Sequence, residues 1–352
     1  MTPSVDPAAS ATQADRARFW GVTETLEPSD ASEPLHPQPA TPLPEDTGRK
    51  GMSETVTRLL TAAVLVPAVL YAITAGGLFY LAVVMAFILL GLREFYQLIE
   101  EKGARPLWGL GLAAGGALPV VTYFRDEYAA TLLMTFSLLA LMVAQLRKRN
   151  ITEALASISG TFFGVFYVGW LMSHIVVLRL FSEKAQAGLV PALRGADLGI
   201  LGLHADAGIF FLVFTLTVVV NCDAGAYFAG RAYGRHKLAP QVSPGKSVEG
   251  AIGGILWGTI AGLICKAIFD TFWPFLSISI GWGTAAGFGV VLAIAGIVGD
   301  LVESLLKRDA EIKDTGALLP GMGGILDRID APLIAIPVMH YMLLGYFVLQ
   351  LR

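Results

Sequence analysis

The sequence predicts an all-α fold, a polytopic integral membrane protein of about nine transmembrane helices with its polar centre on the cytoplasmic side. Three observations carry that expectation. The 352 residues are 55% hydrophobic and only 15% charged, with a mean hydropathy of +0.63, a composition foreign to a soluble chain of this length. From Arg58 onward, apolar runs follow one another, each near the roughly 20 residues that a helix needs to cross hydrocarbon. Lys and Arg gather in alternate connections between those runs.

Residues 1–52 read differently. Pro34, Pro37, Pro39, Pro42 and Pro44 crowd together, and the first fifty residues hold eight acids and four bases, so this segment is expected to be a disordered N-terminal tail. It has neither the basic start nor the apolar run of a secretory signal, and Arg16–Trp20 reads as incidental to the tail. Spans are expected at 59–76, 77–92, 107–124, 128–146, 156–179, 208–228, 249–272, 280–299 and 332–351. Residues 53–206 thus form a set of N-terminal transmembrane helices, and 207–352 a C-terminal transmembrane region that carries the chemistry.

Charge in the connections orients the chain. The even-numbered loops hold Arg93, Lys102, Arg105, Arg147, Lys148, Arg149, Arg231, Arg235, Lys237, Lys246, Lys307, Arg308, Lys313 and Arg328. The odd-numbered loops and their borders hold Arg125, Arg179, Lys184 and Arg194, so the split is fourteen to four. The positive-inside rule then places the N-terminus and all even loops in the cytoplasm. Asn150-Ile-Thr152 has the form of a glycosylation acceptor but falls on that side and should stay unmodified. Loop 180–207, with Asp197, His204 and Asp206, fits no metal-site spacing and reads as solvated.

Other features read as structural. Cys222 and Cys265 sit in or beside apolar runs as small hydrophobes, with no disulfide framework or zinc site. His174 and His340 read as packing residues, His236 as part of a basic loop, Lys266 as a snorkelling side chain, and Gly115-Gly116 as a close helix contact. A net charge of −3 leaves no nucleic-acid footprint.

Two polar stretches remain, and both fall on the expected cytoplasmic side. In the first, Asp223 lies in the last turns of an apolar run among Ala224, Gly225, Ala226, Ala229 and Gly230, followed by Ser243-Pro-Gly-Lys246-Ser247-Val-Glu249-Gly250. The Ser243–Ser247 segment resembles a phosphate-binding turn without the glycine spacing of a Walker A loop. In the second, Asp300, Ser304, Lys307 and Arg308 share one helical face at i, i+4, i+7 and i+8. Lys313-Asp314 and a Gly-rich turn follow, and then Asp327-Arg328-Ile-Asp330, whose acids face alike if the turn is helical. Topology alone would need only the cations. Carboxylates beside cations and glycines suit Mg²⁺ and phosphate, and so metal-assisted phosphoryl or nucleotidyl transfer.

The segment Ser304-x-x-Lys307-Arg308, Lys313-Asp314-x-Gly316, Leu319-Pro320-x-Met322-Gly323-Gly324 and Asp327-Arg328-x-Asp330 resembles the signature of the phosphatidate cytidylyltransferase (CDP-diacylglycerol synthase) family. Asp223-Ala-Gly-Ala-Tyr-Phe-Ala-Gly-Arg, Lys237-Leu-Ala-Pro and Gly299-Asp300-Leu-x-Glu-Ser extend the likeness over residues 210–350. Earlier in the chain only Arg93-Glu-Phe-Tyr and Lys102-Gly match. Two departures stand out: Met322 replaces a usual histidine, and Ala224 replaces a hydroxyl residue after Asp223.

The resemblance implies the reaction CTP + phosphatidate → CDP-diacylglycerol + pyrophosphate in the inner membrane of a bacterium, with both substrates met at the cytoplasmic face. It implies Mg²⁺, with room for a second monovalent cation such as K⁺; a homodimer is left open as the assembly. Asp300 and Asp327 are expected to hold the metal, with Asp223 and Asp330 as outer ligands. Lys307, Arg308, Lys313 and Arg328 are assigned to the phosphates, with Lys246, Ser243 and Ser304 as further substrate contacts. The rival readings are a CTP-dependent polyprenol or phytol kinase and a membrane transporter. A transporter would carry its ionisable residues near mid-span.

Overall fold

The computed structural model describes residues 54–148, 153–195, 199–316, 318 and 323–351, with side chains from Leu60 onward. The tail expected over 1–52, the Asn150-Ile-Thr152 triplet, Asp197 and Met322 lie outside them. The chain forms helices α1 (Glu54–Ala75), α2 (Gly77–Glu101), α3 (Trp108–Phe124), α4 (Glu127–Leu146), α5 (Ala154–Arg179) and α6 (Phe181–Gln186). After a connection come α7 (Ala207–Tyr233), α8 (Val248–Phe272), α9 (Pro274–Ser277), α10 (Trp282–Asp309) and α11 (Leu326–Gln350). α5 runs through a π-helical stretch at Val165–Trp170.

Seven of these helices, α2, α4, α5, α7, α8, α10 and α11, are long and apolar enough to cross a bilayer. The apolar part of α1, Leu60–Ala75, and the shorter α3, Trp108–Phe124, coincide with the expected spans at 59–76 and 107–124. The protein is an integral membrane protein. One departure from an all-helical chain is a small antiparallel hairpin, β1 (Lys237–Ala239) with β2 (Ser243–Ser247), which pairs Lys237 with Ser247 and Ala239 with Ser243. It occupies the connection between α7 and α8, where water-facing backbone needs its own hydrogen bonds.

Small residues set how closely the helices approach. Gly250, Gly254, Gly258 and Gly262 form a stripe of period four along α8, and α7 lies directly against it. A methyl group at Gly254 would stand 2.7 Å from the Cys222 carbonyl, and one at Gly258 would stand 2.8 Å from that of Val218. Gly225 returns the fit, since a methyl there would meet Trp257. The Gly115 expectation holds too: the Gly169 position of α5 lies against the Gly115 backbone of α3. Cys222 and Cys265 are both buried and free.

The core joins α2, α5, α7, α10 and α11 through fully buried Ile88, Phe95, Tyr96, Val176, Phe211, Leu292 and Phe347. Two core tyrosines find backbone partners: the Tyr80 hydroxyl donates to the Ile175 carbonyl at 2.8 Å, and Tyr96 to the Thr161 carbonyl at 3.1 Å. His174 contacts the Trp170 carbonyl at 3.0 Å and the Tyr341 hydroxyl at 3.3 Å, while His340 meets Glu127 at 2.7 Å, so both pack within the bundle. In the loop before α7, Asp206 pairs with Arg179 at 3.7 Å.

Lys266 corrects the snorkelling expectation. It is 2% exposed, its ammonium pairs with Asp270 at 3.0 Å, and it lies over the Trp282 ring at 5.4 Å. A carboxylate one turn further along the same helix gives the charge a partner, so the stem need not reach water.

Candidate functional site

The site begins where α10 crosses α11. A methyl group at Gly299 would stand 2.5 Å from the Asp330 carbonyl and 3.0 Å from the Ala331 Cα, so glycine alone permits this approach. The crossing puts Asp300 beside Asp330. Because α10 continues unbroken to Asp309, Glu303, Ser304 and Lys307 follow Asp300 on successive turns. Carboxylate oxygens of Asp300, Glu303 and Asp330 lie within 4.8 Å of one another.

Neighbouring groups hold these acids in place. Lys246 reaches Asp300 from β2 at 2.5 Å, and the Ser304 hydroxyl donates to Asp300 at 3.4 Å. Lys307 bridges Glu303 at 2.7 Å and Asp327 at 2.8 Å. Asp327 also accepts the amides of Gly324 at 2.8 Å and Thr315 at 3.2 Å, both on Oδ2. Only Oδ1, already paired with Lys307, keeps acceptor capacity.

A second acid secures the same helix end from a distance. Glu94, on α2, accepts the amides of Ile325 at 3.0 Å and Leu326 at 2.8 Å, and the Thr315 hydroxyl at 3.4 Å. The first amides of a helix lack internal partners and carry partial positive charge, so buried carboxylates there are favourable. Glu94 and Asp327 together tie the Gly-rich turn to α11 and fix where Arg328 and Asp330 emerge.

Asp300, Asp330, Lys246, Lys307 and Asp327 border one polar cavity of about 680 Å³, formed where the ends of α7, α8, α10 and α11 meet the hairpin, while Glu303 lies behind its wall. Asp223, Ser243, Lys246, Asp300, Lys307, Asp327, Arg328 and Asp330, all selected from sequence, line it together. Asp314 and Arg231 join them, which makes five carboxylates and four cations on one surface. Ser304, Arg308 and Lys313 are not among its lining residues. Ser304 supports Asp300, Arg308 donates to the Val242 carbonyl at 3.3 Å and so steadies the hairpin, and Lys313 is exposed on the loop beyond α10.

Sequence reasoning passed over Glu303 and Glu94. Glu303 was within reach, since it lies three residues after Asp300 and four before Lys307, on the same helical face. Glu94 appeared in a matching segment, but no local pattern tells that it caps a helix more than two hundred residues later.

The donor set fits a hard cation. Three carboxylates converge, and neither oxygen of buried Glu303 has a hydrogen-bond donor among the described residues, although Lys307 lies at ion-pair distance. Like charges this close repel unless a proton or cation intervenes, and oxygen-only ligands suit Mg²⁺. Cations facing the same cavity favour a second anionic occupant, such as a phosphate chain.

Acids and cations around one cavity at the ends of apolar spans suit a membrane-embedded enzyme of phosphate-transfer chemistry. The chain belongs to the cytidylyltransferase family, whose model matches residues 56–346, and is a nucleotidyltransferase. It is 30% identical over 292 residues to the phosphatidate cytidylyltransferase of Synechocystis sp., covering 81% of this chain and 94% of that one. It is 44% identical over 138 residues to the phosphatidate cytidylyltransferase of Haemophilus influenzae, covering 38% of this chain and 46% of that one. Phosphatidate cytidylyltransferase 5, chloroplastic, of Arabidopsis thaliana is 30% identical over 275 residues, 74% of this chain and 64% of that one.

Proposed function

We propose that the protein catalyses CTP + phosphatidate → CDP-diacylglycerol + pyrophosphate, a step of phospholipid biosynthesis. The observation that carries this is the convergence of acids and cations from α7, the hairpin, α10 and α11 on one cavity beside apolar spans. Family membership and the names of the relatives support it.

Both reactants are anions, so their repulsion must be cancelled before they can meet. Arg328, Lys246 and Lys307 supply positive charge, and Arg231 adds a fourth cation at the rim. A phosphate oxygen of phosphatidate attacks the α-phosphorus of CTP; the new P–O bond forms as the bond to the β-phosphate bridging oxygen breaks, and pyrophosphate leaves with that electron pair. No general base is required, because the attacking phosphate is already ionised at neutral pH. Positioning and charge stabilisation therefore supply the rate.

Asp300, Glu303 and Asp330 would hold Mg²⁺, with Asp223 across the cavity and the remaining Oδ1 capacity of Asp327 as further ligands. The ion would neutralise charge on the triphosphate. With five carboxylates on the cavity wall, a monovalent cation also has ligands to spare. We place the cavity on the cytoplasmic side of a bacterial inner membrane in a nine-span topology; the bias of Lys and Arg supports this, and CTP is met there.

The test is purified protein in detergent with labelled CTP, phosphatidate and Mg²⁺. The expected result is cytidine label in the lipid fraction with stoichiometric pyrophosphate. Release of CDP with no cytidine in lipid would instead identify a CTP-dependent lipid kinase.

A further inference from the structure

A second cavity, of about 420 Å³ and almost wholly apolar, lies beside the polar one, bordered by α1, α2, α5, α7 and α11. Its wall is made of helical stripes. Tyr80, Val83, Val84 and Phe87 recur at i, i+3, i+4 and i+7 on α2, and Val213, Leu216, Thr217 and Val220 do so on α7. Val84 at the floor is buried, whereas Leu70 on α1 and Val220 on α7 are 41% and 62% exposed. The groove is therefore open sideways between α1 and α7, toward the surface that hydrocarbon covers.

The two cavities share one residue, Arg328. They also share walls: on α7 Asn221 lines the groove and Asp223 the polar cavity, and on α11 Ile329 lines the groove and Asp330 the polar cavity. An amphiphile whose anionic head met Arg328 would thus leave its tail beside Ile329 and Asn221, running up the stripes of α2 and α7.

We propose that this groove receives an acyl chain of the phospholipid substrate and that Arg328 marks the junction of chain and phosphate. The inference rests on the phosphatidate reading above. A lipid chain already lies in hydrocarbon, so moving it into an apolar groove gains little from the hydrophobic effect. What the groove contributes is position: a chain held along α2 and α7 fixes the head group at the edge of the catalytic cavity and replaces lateral diffusion by a bound geometry. Selection among lipids then follows from the shape of the groove, and Val84 and Leu216 are its specificity-determining residues.

Two measurements test this. Val84→Trp and Leu216→Trp narrow the groove, and each is expected to lower the ratio of kcat/KM for dioleoyl over dihexanoyl phosphatidate at least tenfold in mixed micelles. Leu139→Trp, on an exposed face of α4, should leave that ratio within twofold. A ratio unchanged in both groove variants would overturn the proposal while leaving the cytidylyltransferase reading intact. On unaltered protein, phosphatidate bearing a photoreactive group in mid-chain should label residues 65–73 and 213–220; labelling confined to α4 or α8 would overturn it without any variant having to fold. If the protein makes no CDP-diacylglycerol, the activity reading fails by itself, and the labelling still reports whether the groove holds a chain.

Discussion

The ammonium of Lys246, at the end of the hairpin, lies 2.5 Å from a carboxylate oxygen of Asp300 on α10. The contact links the loop before α8 to the acidic cluster. It also puts a fixed cation on a carboxylate that Mg²⁺ would claim. Lys246 and a bound Mg²⁺ would therefore compete for Asp300, and a triphosphate would draw the lysine away. Lys246→Met should lower the Mg²⁺ concentration needed for half-maximal CTP binding, yet reduce turnover by roughly 10²-fold, because the phosphates lose a preorganised cation. Binding isotherms and steady-state rates on one preparation separate the two effects.

The cluster of Asp300, Glu303 and Asp330 concentrates negative charge at the crossing of two helices. A bound divalent ion should relieve that repulsion and stabilise the fold. Mg²⁺ is expected to raise the melting temperature of the unaltered protein by about 3 °C or more, and Asp300→Asn should abolish most of that response. In EDTA the variant should melt close to the parent, because relief of like-charge repulsion offsets the loss of the Lys246 pair. Its turnover should fall by more than about 10³-fold. Thermal scans with and without Mg²⁺, beside the lipid-labelling assay, check both halves.

Gly299 sets the distance between those acids. Gly299→Ala would push its new methyl group against the Asp330 backbone, so α10 and α11 must part. The overpacking should cost about 1–3 kcal/mol of stability. Activity should fall further than stability explains, because Asp300 and Asp330 separate together. Comparing residual activity well below the melting transition with that of Gly345→Ala, where the added methyl meets open space, isolates the geometric effect.

Much of this arrangement was legible because it is local. The face formed by Asp300, Ser304, Lys307 and Arg308 follows from helical spacing, and the α10 helix carries it as that spacing requires. What escaped was long-range or short. β1 and β2 span only three and five residues, too few for a period-two pattern to register. Lys266 looked free to reach water until Asp270 and the Ser277 carbonyl closed around it, the latter from beyond the end of α8. The bond from the Arg308 Nε to the Val242 carbonyl, across to the hairpin, likewise has no local signal in the sequence.

Glu94 is the clearest case of a role that only the fold reveals, and it yields the last prediction. Its two oxygens accept the Ile325 and Leu326 amides and the Thr315 hydroxyl, so a residue of α2 holds the turn that presents Asp327, Arg328 and Asp330. Glu94→Gln keeps the shape but removes the charge and gives one oxygen's place to a donor, which then faces an amide hydrogen. The loss of charge-assisted bonds should cost about 1.5–3 kcal/mol. Because the helix end shifts without any cavity residue being altered, KM for CTP should rise and kcat should fall together. Glu94→Asp, which retains the charge on a shorter stem, should recover part of both. A variant that lost stability while keeping both kinetic parameters would show that the turn holds its position without Glu94, and that the N-terminus of α11 is secured by Asp327 alone.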